Sequence, residues 1–354
     1  MSKTKLRRTS VVRNARKLLH YLEEKKTKLS PLLILTHDYP DPDAIACALG
    51  LQYLASTRYG ISSRIVYGGV IGRPENKAMV KILKLPLHKL KEQDFKKYQN
   101  TVLVDTQPDF QNNSFPKKRK ATMVIDQHPS DKKPCADFSI VDTECGATCV
   151  IVARALLMVC SEIPSQVATS IAYGILSDTL NLYRTPYAQV IDTYRDILPF
   201  CDMRALSRIQ NKTRSRKFFA SLASGIKNAK TKRGLIVSHL GEVETPELVA
   251  EIADFLLTCQ GMQYSFCTGR YQGNLCASLR VTKASLAAGE VLRDIFSNRG
   301  EAGGHGSIAG GSFEVGEGVD TEIWEEMENV LAESLARRLR IPKKIEFSNP
   351  FRFK

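Results

Sequence analysis

Three short apolar segments of this chain each run straight into acidic residues: LLILTHDYPDPD from Leu32, TVLVD from Thr101 and TMVIDQH from Thr122. Segments of helical length separate or follow them. AIACALGLQYLA comes after the first, Glu75 to Ile82 after a further strand at Ser63 to Tyr67, and ATCVIVARALLMVC and SQVATSIAYGIL after the third. Short apolar strands alternating with helices build a parallel sheet covered on both faces, because each crossover lays a helix over the sheet. In such sheets ligands collect at the carboxyl ends of the strands. The spacing therefore predicts that His37, Asp41, Asp43, Asp105, Asp126 and His128 are neighbours in space, with Asp178, at the end of SQVATSIAYGILSD, as a further candidate.

That many carboxylates in one crevice repel one another unless cations neutralise them. Oxygen donors mixed with imidazole suit Mn²⁺ or Mg²⁺, and such ions activate water and stabilise charge on phosphoryl oxygens. Singly, each aspartate is ordinarily a turn residue or a helix cap, and Asp43, just before AIACALG, suits the cap position. H-x-x-x-D-x-D, D and D-x-H, each following an apolar strand, form a combination that chance seldom produces.

At 354 residues the chain exceeds a single ordinary core, so two domains are expected. The opening segment, Thr9 to Lys26, spaces Val12, Ala15, Leu18, Leu19 and Leu22 as an amphipathic helix. From about Asp192 to Lys230 the sequence turns polar, basic and helical. Beyond it, YSFCTGRY and NLCASLRV flank Gln272-Gly273 as a β-hairpin, a glycine cluster spans 303–311, and a helix runs from about Thr321 to Leu339. The expected fold is α/β: a parallel-sheet domain over 10–195, a helical linker over 196–230 and a smaller α/β substrate-binding domain over 231–345.

Lys plus Arg outnumber Asp plus Glu by 51 to 37, a formal charge of +14 that favours polyanionic partners. The basic runs at 3–8, 117–120, 212–217 and 227–233 are read singly as solvated surface. Nine scattered cysteines include no C-x-x-C pair, which argues against a zinc finger or a disulfide scaffold. No apolar run approaches a bilayer's width, and MSKTKLRRTS lacks the apolar core of a secretory signal, so a cytoplasmic protein without membrane contact is expected.

HDYPDPDAIAC, VLVDTQP, VIDQHP and GILSDT resemble the four motifs of the DHH phosphoesterases, and GGHGSIAGG resembles the glycine-rich motif of the DHH-associated domain. Within that family the likeness is to RecJ-related nanoRNases and pAp phosphatases. The resemblance implies a manganese- or magnesium-dependent hydrolase with one or two ions, which cleaves short oligonucleotides or nucleotides such as pAp through a metal-activated hydroxide. By position, His37, Asp41 and Asp105 match the ligands of one ion. Asp43, Asp105 and Asp178 match those of a second, Asp105 bridging. His128 matches a residue that contacts substrate phosphate, with Asp126 orienting the site.

Gln127 departs from the pattern, standing where the family places a histidine ligand of the second ion. Its amide is a weaker ligand, so one firm and one weakened metal site are expected. Gly303, Gly304, His305, Gly306 and, with less weight, Arg280 are expected to hold the substrate, since glycines let backbone N–H groups approach an anion. Ile308 replaces a smaller residue of the motif. The expected partner is short RNA or DNA or a nucleotide, with a homodimer as one arrangement. Gln127 also supports a second reading, a nucleotide- or RNA-binding sensor with weakened catalysis. A manganese pyrophosphatase, prompted by the Ser-Arg-Lys within Arg214 to Lys217, ranks lower.

Overall fold

The computed structural model describes residues 9–72, 74–183, 187–211, 214–283, 287–297, 299–305 and 307–351. The chain divides into two compact units, 1–212 and 213–354.

The first unit begins with α1 (Ser10–Leu29) and continues as β1 (Leu32–Thr36), α2 (Pro42–Tyr59), β2 (Ser63–Tyr67), α3 (Pro74–Ile82), β3 (Leu87–Lys89), α4 (Glu92–Lys97), β4 (Asn100–Val104), β5 (Ala121–Asp126) and β6 (Ala136–Val141). Helices α5 (Cys149–Val159), α6 (Ser165–Asp178), α7 (Ala188–Ile197) and α8 (Met203–Gln210) complete it. Its six strands are all parallel, in the order β3-β2-β1-β4-β5-β6. Every residue of β1 is buried, as a central strand covered on both faces requires. Side chains alternate across it: Leu32 and Ile34 join the large core under α1, α2, α5 and α6, while Leu33 and Leu35 pack with Val66, Leu103, Phe115 and Val124 on the other face.

The chain leaves β1 toward β2 on one side, and β4 later joins its other side, so strand order reverses at β1 and β4. In open α/β sheets ligand sites lie above the carboxyl ends of the strands at such a switch point. Beside it, α6 packs closely on α2 because Gly174 has no side chain. A Cβ there would lie 3.0 Å from both the Ala46 Cβ and the Pro42 carbonyl oxygen.

The second unit contains α9 (Arg216–Lys227), β7 (Lys230–Lys232), β8 (Leu235–Glu242), α10 (Pro246–Leu257), β9 (Tyr264–Tyr271), β10 (Asn274–Val281), α11 (Ala288–Phe296), β11 (Glu301–His305), β12 (Ile308–Glu314) and α12 (Thr321–Arg338). Its mixed sheet has the order β11-β12-β10-β9-β8-β7, and only the β8–β9 pair is parallel. The β9–β10 hairpin turns at Gln272-Gly273, both with positive φ, as a tight two-residue turn demands. The glycine cluster forms two paired antiparallel strands, β11 and β12.

The described residues within 196–230 include α8 and α9, which fall in different units. Ala205, Leu206 and Ile209 of α8 are buried in the first core, and Phe218 of α9 in a core of the second. Their apolar faces give each helix a home in one unit. The basic run at 3–8 lies outside the described residues. No described helix is long and apolar enough to cross a membrane.

Candidate metal centre

His37 and Asp41 follow β1, Asp105 follows β4 and Asp126 ends β5, so the three acidic strand ends meet at the switch point. The His37 Nδ1–H donates to the backbone carbonyl of Asp38 at 2.8 Å. That bond fixes the tautomer and leaves Nε2 as the lone-pair nitrogen, 3.8 Å from Asp41 Oδ1 and 3.7 Å from Asp105 Oδ2. These separations exceed a hydrogen bond but match donors facing one ion, and the three ligand atoms lie within 4.8 Å of one another. His37, Asp41 and Asp105 therefore fit a divalent cation.

Asp41 also caps α2, accepting from the Ala44 N–H at 3.0 Å, with Pro42 at the first helical position. The cap is thus Asp41 and not Asp43, because Asp43 sits inside the first turn with its carboxylate turned away. Asp43 accepts from the backbone N–H groups of Thr148 at 2.7 Å and Cys149 at 2.8 Å, where the positive end of α5 favours an anion. Asp105 has a φ of 59°, a left-handed conformation that Asp adopts more readily than most residues, and accepts from the Thr148 hydroxyl at 2.6 Å. Asp178 stands one turn beyond Gly174, so the close packing of α6 on α2 brings it to Gln127 and Asp43.

Gln127 links these two carboxylates. Its amide Nε2 donates to Asp178 Oδ2 at 2.8 Å and to Asp43 Oδ2 at 3.2 Å. The amide presents its donor nitrogen to both carboxyl groups, the orientation that suits their acceptor oxygens. A second ion between Asp43 and Asp178 would compete with this amide, so the donor set fits a second ion poorly.

Asp126 is fully buried and has its oxygens occupied. Oδ1 accepts from the Gln127 backbone N–H at 2.9 Å and from His128 Nδ1 at 2.8 Å, and Oδ2 accepts from Gln107 Nε2 at 2.7 Å. Asp105, Asp126 and His128 also lie close enough to form a metal-sized group, yet these hydrogen bonds commit the Asp126 oxygens and the His128 Nδ1. The arrangement orients His128, leaving its Nε2 as the nitrogen available to a ligand.

Burial pushes the Asp43 and Asp105 carboxyls well above the usual carboxylate range, with the charges of Asp105 and Asp178 adding to it for Asp43 and that of Asp41 for Asp105. The hydrogen bond to Asp126 raises the His128 pKa above the ordinary imidazole value. Burial works against charge on His37, but the Asp41 carboxylate outweighs it and the net shift is upward. Burial and mutual repulsion thus favour the protonated forms of these carboxyls, and a divalent ion would compete with the protons.

In the second unit a cavity of about 460 Å³ is lined by Ser278, Arg280, Gly304, Ile308 and Gly310, among others. Gly303 lines a separate one of about 660 Å³ with Arg293 and Phe296. Gly306 and the side chain of His305 lie outside the described residues. Arg280, ordinarily a surface residue at a strand end, is buried here: its Nε donates to Asp254 at 2.6 Å and its Nη1 to the Ala309 carbonyl at 3.1 Å. These bonds replace the water it would have at the surface.

Gln107 and Thr148 are contributors that sequence reasoning did not single out. Gln107 supports both Asp126 and the His128 carbonyl, and Thr148 contacts both Asp43 and Asp105. Gln107 stands within VLVDTQP, so its place in that motif was the available signal. Thr148 carried none.

Residues 31–175 match the DHH family, N-terminal domain. An uncharacterised protein of Methanocaldococcus jannaschii is 32% identical over 295 residues, 83% of this chain. The chain spans 59% of that relative's length. A crystal structure of an exopolyphosphatase-related protein from Bacteroides fragilis shares the fold with a TM-score of 0.65 at 16% identity, covering 92% of this chain and 98% of that one.

Proposed function

We propose, from the match of residues 31–175 to the DHH family N-terminal domain, that the chain is a metal-dependent phosphohydrolase acting on short oligonucleotides or small phosphorylated nucleotides such as pAp. The observation that carries the reading is the convergence of His37, Asp41 and Asp105 at the switch point, with the His37 tautomer set to leave Nε2 facing both carboxylates.

These three residues would hold Mn²⁺ or Mg²⁺, which supplies water activation and charge neutralisation at the phosphorus. The remaining steps belong to the protein. His128, its pKa raised by Asp126, carries a proton more readily than an ordinary imidazole and offers Nε2–H to an anionic phosphoryl oxygen. Asp126, braced by Gln107, holds that ring in place. Thr148 keeps Asp105 oriented through its hydroxyl. In the second unit, the glycine strands and Arg280 line a cavity that we assign to substrate phosphate or base.

The test is incubation of the purified chain with Mn²⁺ and either 5′-phosphorylated RNA dinucleotides or pAp, with product analysis. Turnover that disappears in chelator and in Asp105→Asn is expected; absence of products with metal present sinks the reading. Gln127 favours a second possibility, a nucleotide-binding sensor, because its amide occupies the space between Asp43 and Asp178. Metal-supported binding without turnover would select it. The pyrophosphatase alternative gains nothing from Arg214 and Lys217, which are ion-paired to Glu251 and Glu244.

A further inference from the structure

Tyr39 lies between His37 and Asp41 in the loop that follows β1, and the fold holds it in an unusual way. Its φ is 58°, in the left-handed region that bulky residues rarely adopt. The loop is pinned at this residue and at the one before it. The Tyr39 N–H donates to the Gly68 carbonyl at 3.1 Å, the Asp38 N–H to the Asn112 carbonyl at 2.7 Å, and the Ser114 hydroxyl to the Asp38 carboxylate at 2.9 and 3.0 Å.

The ring itself rests on Gly69. A Cβ built there would lie 2.9 Å from Tyr39 Cδ1, 2.9 Å from Cε1 and 3.0 Å from Cγ. Near-equal distances to three adjacent ring atoms place that point over the face of the ring and not at its edge. One face is thus seated on a residue with no side chain, while Tyr39 as a whole is 66% exposed. A strained backbone that fixes a solvent-exposed aromatic contributes little to the core, and strain of this kind persists where surrounding structure enforces it, commonly at ligand sites. A seated, open aromatic face beside phosphate-directed residues is the arrangement on which a base stacks.

We propose that Tyr39 is a nucleobase-stacking platform, so that the substrate of the first unit's metal centre carries a base lying on the open face of this ring. The proposal rests on the phosphohydrolase reading above and narrows it, giving the site a preference for nucleotides over base-free phosphates.

Binding to the full chain in Mn²⁺ is measured by calorimetry with two probes that differ only by the base, AMP and ribose 5-phosphate. The unmodified chain is expected to bind AMP more tightly. Tyr39→Phe keeps that preference, whereas Tyr39→Ala loses about tenfold in AMP affinity with a much smaller change for ribose 5-phosphate. Tyr39→Gly, which also removes the backbone strain, is expected to fold at least as stably and to show the same selective loss, so a folding defect cannot account for it. Equal loss for both probes, no loss for either, or an unmodified chain that does not distinguish them overturns the proposal. Hydrolysis of a 5′-phosphorylated diadenylate is followed in parallel. A chain that binds selectively yet never turns over sinks the hydrolase reading while supporting the platform.

Discussion

Removal of the Gln127 side chain is the most direct probe of the metal centre. The amide donates two hydrogen bonds, at 2.8 and 3.2 Å, to Asp178 and Asp43. Hydrogen bonds to charged groups contribute roughly 1.5–3 kcal/mol each, less where water can substitute, and Gln127 is only partly buried. Gln127→Ala therefore costs the metal-free protein about 2 kcal/mol, because Asp178 and Asp43 lose a shared donor while still facing each other. For a unit of this size that corresponds to a fall of about 4–8 °C in Tm. The assay is thermal unfolding in chelator, repeated with Mn²⁺ titrated in. Gln127→His is the companion variant: an imidazole nitrogen is the better ligand, and metal analysis is expected to find a second ion bound per chain. A Gln127→Ala variant that melts with its parent in chelator, or a Gln127→His variant that gains no manganese, refutes the bridging role.

Further outcomes follow from the same geometry. Asp43 and Asp105 have raised carboxyl pKa values in the folded state, so their contribution to stability is full below the unfolded carboxylate pKa and is lost as pH rises through the folded values. The metal-free protein should thus lose stability from this cluster as pH rises, and Mn²⁺ should raise Tm more at pH 7.5 than at pH 5, as read by differential scanning fluorimetry. Asp126→Asn removes the main cause of the raised His128 pKa, so the imidazole titration followed by NMR should move down toward the ordinary value, with turnover falling about tenfold or more. Gly174→Val pushes a side chain into Ala46 and the Pro42 carbonyl, costing about 1–3 kcal/mol in denaturant unfolding and weakening manganese binding by moving Asp178. Arg280→Met abolishes the bonds to Asp254 and Ala309, and destabilisation of the second unit by about 1–3 kcal/mol is expected in chemical denaturation.

Much of the fold was legible because hydrophobic pattern and strand burial are the same property seen twice. LLILT reads as a central strand because both of its faces must be apolar, and it is buried throughout. The hairpin at Gln272-Gly273 was equally plain, since two residues between two β-rich runs leave the chain little else to do. Strands β3 and β6 at the sheet edges were not legible. Edge strands are partly exposed, and β6 carries one buried residue, so neither has a strong apolar signature.

The chemistry of the site was determined by sequence alone to the extent that it depends on which residues end which strands: parallel strands deliver their carboxyl ends to one side, and His37, Asp41, Asp105 and Asp126 had to arrive together. What those residues do to one another was decided only in three dimensions. The division of labour between Asp41 as cap and Asp43 as partner of α5, the span of the Gln127 amide from Asp43 to Asp178, and the seating of Tyr39 on Gly69 depend on contacts across long stretches of chain. Hydrogen bonds and van der Waals contacts are set by distances of a few tenths of an ångström, and a one-dimensional pattern carries no such distances.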